Sequence, residues 1–116
     1  PRVRRQRQMC IRDRLSPVYQ KFLENTMIVT STGSDKLKGL LPAETIIGHK
    51  TGSSDRDSTG MKAGDNDMGF VYLPHGGDHY TIAVFITDSM EDDKTNAAII
   101  AQISKAVYDY INEISS

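Results

Sequence analysis

Ile46-Ile47-Gly48-His49-Lys50-Thr51-Gly52-Ser53-Ser54 is the stretch on which the reading of this chain turns. β-Branched residues ahead of Gly48 favour a strand. On a strand Lys50 and Gly52 point to one face, and Thr51 and Ser53 to the other. Gly52 has no Cβ, so a ligand or another backbone can approach closely there. A cation, a hydroxyl, an open glycine and edge N–H groups together suit an anionic ligand that carries a carbonyl. Taken alone, Lys-Thr-Gly is a short motif that also recurs by chance. It is not a phosphate-binding loop, because the glycine that motif requires ahead of Gly48 is replaced by Ala43.

Outward from this stretch, 116 residues suffice for one small domain. No apolar run reaches the length of a membrane span, no secretory leader is visible, and the single Cys10 cannot form an internal disulfide. Pro1 to Arg14 holds Arg2, Arg4, Arg5, Arg7, Arg12 and Arg14 against Asp13. Such an arm suggests nucleic-acid binding. However, Arg4 to Arg14 (RRQRQMCIRDR) resembles the in-frame translation of a transposase adapter from sequencing libraries, so residues 1–14 are expected to be foreign to the fold. The arm contains six of the chain's fourteen basic residues and one of its fifteen acidic ones. That leaves eight basic and fourteen acidic residues over 15–116, a net charge near −6 that repels nucleic acid.

Ser16-Pro17 reads as the cap and first position of a helix with Val18, Phe22 and Met27 as its apolar stripe, running to about Thr26. Thr30-Ser31-Thr32-Gly33 breaks it, and a short helix or turn covers Ser34 to Leu41 before Pro42. After the lysine-bearing strand, Asp55 to Asp67 reads as a polar loop. Asp55, Asp57, Thr59 and Gly60 match half of a calcium loop, but Asn66 stands where its bidentate glutamate is needed, so a solvated loop is expected. Met68 to Leu73 and His79 to Thr87 form an antiparallel hairpin around Pro74-His75-Gly76-Gly77-Asp78. His75 and His79 lack a third ligand nearby, and no metal site is expected. Tyr80, Ile82, Val84 and Ile86 share one face of the third strand, Ala83 and Phe85 the other, so helices are expected over both faces. Ser89 and Asp92 fit a capping box opening a long helix with Ile99, Ile100, Ile103, Val107, Tyr110, Ile111 and Ile114 toward the sheet.

This order, with its motifs, resembles the C-terminal part of class A serine β-lactamases from about Leu15 to Ile114. The sharpest matches are Thr30 to Pro42, Gly48 to Ser54, and Asp65-Asn66-Asp67-Met68-Gly69, which resemble the extended-spectrum subgroup. The resemblance implies an α+β fold, here three antiparallel strands flanked by helices, as in the serine β-lactamase and penicillin-binding-protein group. It implies hydrolysis of β-lactams through a serine acyl-enzyme, without a cofactor, by a monomer in the bacterial periplasm or outside the cell. It implies that Lys50 anchors the substrate carboxylate and favours anionic species, that the Thr51 hydroxyl binds that carboxylate, and that Gly52 leaves room along the strand. The Ser53 N–H becomes an oxyanion donor, its hydroxyl a further substrate contact, and Ser54 a wall of the cleft.

The chain departs from the pattern. The Ser-x-x-Lys motif with the nucleophile, the Ser-Asp-Asn motif and the deacylation glutamate are absent. Met68 stands before Gly69 where many class A enzymes carry a carboxylate-holding arginine. The expectation is therefore one wall of an active site, inactive by itself, with residues 15–116 as the C-terminal part of a catalytic domain. Beside it stand two alternatives: part of a D,D-peptidase or penicillin-binding protein, and a non-catalytic domain that binds an anionic ligand.

Overall fold

The structure is a computed structural model that describes residues 16–74, 76 and 78–115. The arginine-rich arm, Cys10, Leu15 and His75 lie outside the described residues. In chain order the elements are α1 (Pro17–Ile28), β1 (Ile47–Ser53), β2 (Lys62–Tyr72), β3 (His79–Ser89) and α2 (Asp93–Ser115). The sheet has the order β1-β2-β3 and is antiparallel throughout. Ile47 pairs with Val71 and Val71 with Tyr80, which carries one apolar row across all three strands.

That row faces the core. Ile47, Val71 and Val84 pack with Ile100 and Tyr108 of α2 and with Leu37 and Leu41 from a run of tight turns. Tyr80, Ile82 and Ile86 line the same core, as the alternation along β3 predicts. The turns follow each other through Lys36 N to Gly33 O, Gly39 N to Lys36 O and Leu41 N to Lys38 O, so the expected short helix or turn over 34–41 is a succession of tight turns. The Ser104 hydroxyl of α2 donates to Leu37 O at 2.7 Å and ties the turns to the helix.

Four sequence expectations need correction. The second strand begins at Lys62, not Met68, and so takes in half of the expected loop. Aspartate and asparagine are poor strand formers, but here tertiary partners hold Asp65, Asn66 and Asp67 in the ladder. The helix α2 is capped by Asp92, whose carboxylate accepts from Thr95 N at 2.7 Å. Ser89 instead accepts from Glu91 N and donates to Asn96 Oδ1. The buried face of α2 is Asn96, Ala97, Ile100, Ala101, Ser104 and Tyr108, whereas Ile99, Ile103, Tyr110 and Ile114 are exposed. Small residues on that face let the turns approach: Ala101 Cβ lies 3.2 Å from where a side chain at Gly39 would begin. The apolar surface of α2 is wider than the groove, and one flank stays in solvent. Finally, helices do not cover both faces of the sheet. Phe85 is 61% exposed on the outer face with Met68, and α1 contacts β1 while burying none of its residues. The Ser16 cap and Pro17 first position of α1 are as expected, yet Val18 and Phe22 are more than two-thirds exposed.

Two outcomes are expected from these contacts. Gly33 sits at φ +66° with Thr51 Cγ2 only 2.2 Å from an added Cβ. Gly33→Ala should therefore lower the stability of the full chain by about 2 kcal/mol, read from its urea midpoint. The Thr95 hydroxyl, then the Thr95 N–H, hold the Asp92 carboxyl below its ordinary range. A lowered value means that the cap stabilises fully at neutral pH and is lost as pH falls through the folded-state value. Amides at the start of α2 should show smaller protection factors below that range, and Asp92→Ala should produce the same fraying at pH 7.

Candidate active site

The candidate site is built on β1, which lies at an edge of the sheet. Two bonds bracket the strand: Tyr72 N to Ile46 O at 3.0 Å and Ser54 N to Gly64 O at 2.8 Å. In an antiparallel ladder, bonded and non-bonded pairs alternate. Positions 48, 50 and 52 therefore spend their peptide groups on β2. The peptide groups of His49, Thr51 and Ser53 point away from it, along the free edge. The Lys50 ammonium fits this geometry, since it donates to the outward Thr51 carbonyl. Lys50 is exposed, and the motif thus combines a solvent-facing cation with a row of outward N–H and C=O groups.

The side chains sort by face. Lys50 pairs with Met68 and Gly52 with Asn66. The open space expected at Gly52 is occupied on that face, because the Asn66 carboxamide oxygen lies 2.8 Å from where a Cβ would stand. The glycine is needed for this close approach, and what remains open is the strand's edge. Thr51 lies over Gly33 on the opposite face. Ser53 is exposed, and its hydroxyl accepts from Lys62 Nζ at 2.5 Å. Ser54 is drawn into the β1–β2 junction: its hydroxyl accepts from Gly64 N and donates to Asp55 O. The structure thus brings Lys50, Thr51, Gly52 and Ser53 to one edge and sets Ser54 beside it.

Beneath β1 runs a set of buried polar contacts that sequence reasoning missed. Asp67 is fully buried, with His49 Nδ1 at 2.9 and 3.0 Å from its two carboxyl oxygens and Leu37 N donating at 3.1 Å. Asp65, buried as well, is paired with Lys36 at 2.6 Å and with Lys62 at 3.9 Å. Lys62 also meets Asp93 at 3.0 Å, and Asp93 meets Arg56 at 2.8 Å. The Lys62 contact first and the Arg56 contact second hold the Asp93 carboxyl below its ordinary range. One sequence signal could have exposed this set: Asp65, Asp67, Gly69 and Val71 alternate with period two, which extends the core face of β2 backwards into the polar stretch.

Asp57 and His79, the other described candidates, have partners of their own. Asp57 turns its carboxylate on its own loop, accepting from Thr59 N, Thr59 Oγ1 and Met61 N, and the Thr59 hydroxyl leads in lowering its carboxyl. His79 meets Tyr72 at a tilt and Phe70 edge-on, at 5.5 and 6.5 Å between ring centres. Among the described residues no group of three potential metal ligands occurs.

The fold, an edge strand backed by a hairpin and a long helix, matches that of solved class A β-lactamases. The solved class A β-lactamase of Bacteroides cellulosilyticus superposes with a TM-score of 0.80 at 57% identity, covering 85% of this chain and 35% of that one. The TLA-3 extended-spectrum β-lactamase gives 0.82 at 50% identity over 84% of this chain and 35% of its own. In sequence, a β-lactamase of Bacteroides uniformis is 61% identical over 88 residues, 76% of this chain and 29% of the relative. The extended-spectrum β-lactamase PER-1 of Pseudomonas aeruginosa is 45% identical over 96 residues, 83% of this chain and 30% of the relative. The family model described as the beta-lactamase enzyme family matches residues 8–111. The chain belongs to that family and has the α+β class A β-lactamase fold. It spans about three-tenths of the length of these curated relatives.

Asp67→Ala should destabilise the full chain by about 3 kcal/mol in urea unfolding, since it strands a buried imidazole nitrogen and the Leu37 N–H. Asp67→Asn keeps part of that bonding and should lose less than half as much.

Proposed function

We propose that this chain supplies the Lys-Thr-Gly wall of a class A β-lactamase active site, and that the protein it belongs to hydrolyses β-lactam antibiotics. A serine attacks the lactam carbonyl, the carbon–nitrogen bond opens as the nitrogen takes a proton, and water then cleaves the resulting ester. In this reading Lys50 holds the substrate carboxylate and favours anionic species along the path. The Thr51 hydroxyl binds the same carboxylate. Gly52 lets Asn66 close over one face of the strand and leaves the strand's edge to the ligand, and Ser54 borders the cleft. The Ser53 N–H is one oxyanion donor, a kind of contact that contributes about 3 kcal/mol to the transition state. The observation that carries the reading is the alternation of β1: Thr51 and Ser53 present their peptide groups at an unpaired edge, next to an exposed lysine.

On this reading residues 15–116 are the C-terminal part of a catalytic domain and residues 1–14 are foreign to it, although the family match begins at residue 8. Genomic DNA that encodes Arg4 to Arg14 upstream of Leu15 would overturn the second statement. The nucleophile, its lysine and the deacylation glutamate are not in this sequence, so the chain alone is expected to turn over nothing. The protein is proposed to act as a monomer on a small β-lactam, without cofactor, metal or nucleic acid, in the periplasm or outside a bacterial cell. No helix among the described residues is long and apolar enough to cross a membrane.

The test is a hybrid in which residues 16–115 replace the matched segment of the Bacteroides cellulosilyticus class A β-lactamase. It should hydrolyse a chromogenic cephalosporin, and Lys50→Ala should cut kcat/KM about a hundredfold. A folded hybrid without hydrolysis, or a Lys50→Ala hybrid of unchanged kcat/KM, would refute the proposal.

A further inference from the structure

We propose that Lys62 is a positioning residue for the ligand's carboxylate: it takes up a lone pair of the Ser53 hydroxyl and thereby makes that hydroxyl a committed donor at the edge of β1. The inference rests on the reading of that edge as a β-lactam cleft. The Lys62 ammonium has three donors and no acceptor. Its side chain is only 6% exposed, and it meets Ser53 Oγ at 2.5 Å, Asp93 at 3.0 Å and Asp65 at 3.9 Å. The direction of the Ser53 contact is therefore fixed, because the oxygen can only accept.

The consequence follows from the chemistry of a hydroxyl. Serine has one proton and two lone pairs. With a lone pair turned to a buried cation, the proton points elsewhere and is polarised by the bond behind it. Among the described residues no acceptor takes that proton, and Ser53 is exposed while its N–H faces outward from the sheet. Ser53 then offers two donors from one residue, beside the Thr51 hydroxyl and the Lys50 ammonium. Met68, which pairs with Lys50, adds no charge. A site made of donors and cations selects an ionised carboxylate over its ester. Lys62 supports that selection from behind the strand, without touching the ligand.

A mere structural role is distinguishable from this one. Lys62 could simply complete the ion pairs with Asp65 and Asp93, and its loss would then weaken the fold without changing which ligand form is preferred. The experiment uses the full 116-residue chain and follows the Thr51 to Ser54 amide shifts during titration with benzylpenicillin and, separately, with its methyl ester. The wild-type chain should bind the acid at least tenfold more tightly than the ester. Lys62→Met should bring that ratio to within about twofold by weakening the acid alone, and Lys62→Arg should restore most of it. Ser53→Ala should lower the ratio equally and make Lys62→Met silent in its background.

A Lys62→Met chain that keeps the tenfold preference overturns the inference and leaves the β-lactam reading intact. Absence of any acid binding by the wild-type chain overturns the inference, while hydrolysis by the hybrid decides the β-lactam reading separately. Should Lys62→Met fail to fold, Ser53→Ala decides: an unchanged ratio in that variant overturns the inference.

Discussion

Two aspartates buried inside a three-stranded sheet set the terms for the rest of this structure. Carboxyl groups are costly to remove from water unless several donors meet them. Asp65 and Asp67 sit on the core face of β2, and their partners come from three separate segments. The turns of 34–41 supply the Lys36 ammonium and the Leu37 N–H, β1 supplies His49, and β2 itself supplies Lys62. None of these segments can shift without leaving a charge or an imidazole unmatched. The apolar core, centred on Ile47, Val71, Leu37 and Ile100, is consequently continued at the other end of the sheet by a polar one.

The placement of the candidate site depends on this arrangement. His49 is anchored to Asp67 on one side of the strand, and Gly33 closes over Thr51 on the same side. With the register fixed, alternate peptide groups of β1 bond to β2, and the others, at Thr51 and Ser53, face outward. A shift of one residue would exchange the two sets, moving Lys50 and Gly52 to the wrong face. The buried aspartates thus decide which N–H groups of β1 reach the edge.

Much was legible in the sequence where side-chain period and chemistry agree. The strand at Lys50, the hairpin, the core row of β3 and the Ser16-Pro17 helix start all followed from local pattern. The pattern misled where burial depended on partners distant in the chain. Asp65 to Asp67 reads as loop because nothing within ten residues announces Lys36 or His49. The capping box at Ser89 and Asp92 is formally sound, but Asn96 takes the Ser89 hydroxyl, and Asp92 becomes the cap itself.

What the sequence by itself determined is the local alphabet: an α+β order of elements, a strand carrying Lys-Thr-Gly, and a family resemblance borne by the flanks of that motif. These are settled by periodicities of two and 3.6 and by residue types only a few positions apart. Only the tertiary structure decided which flank of α2 is buried, that Asn66 fills the space at Gly52, and that Lys62 reaches Ser53. The physical reason is common to all three: each depends on the close approach of groups whose separation along the chain carries no signature, and whose contact exists only once the sheet has its register.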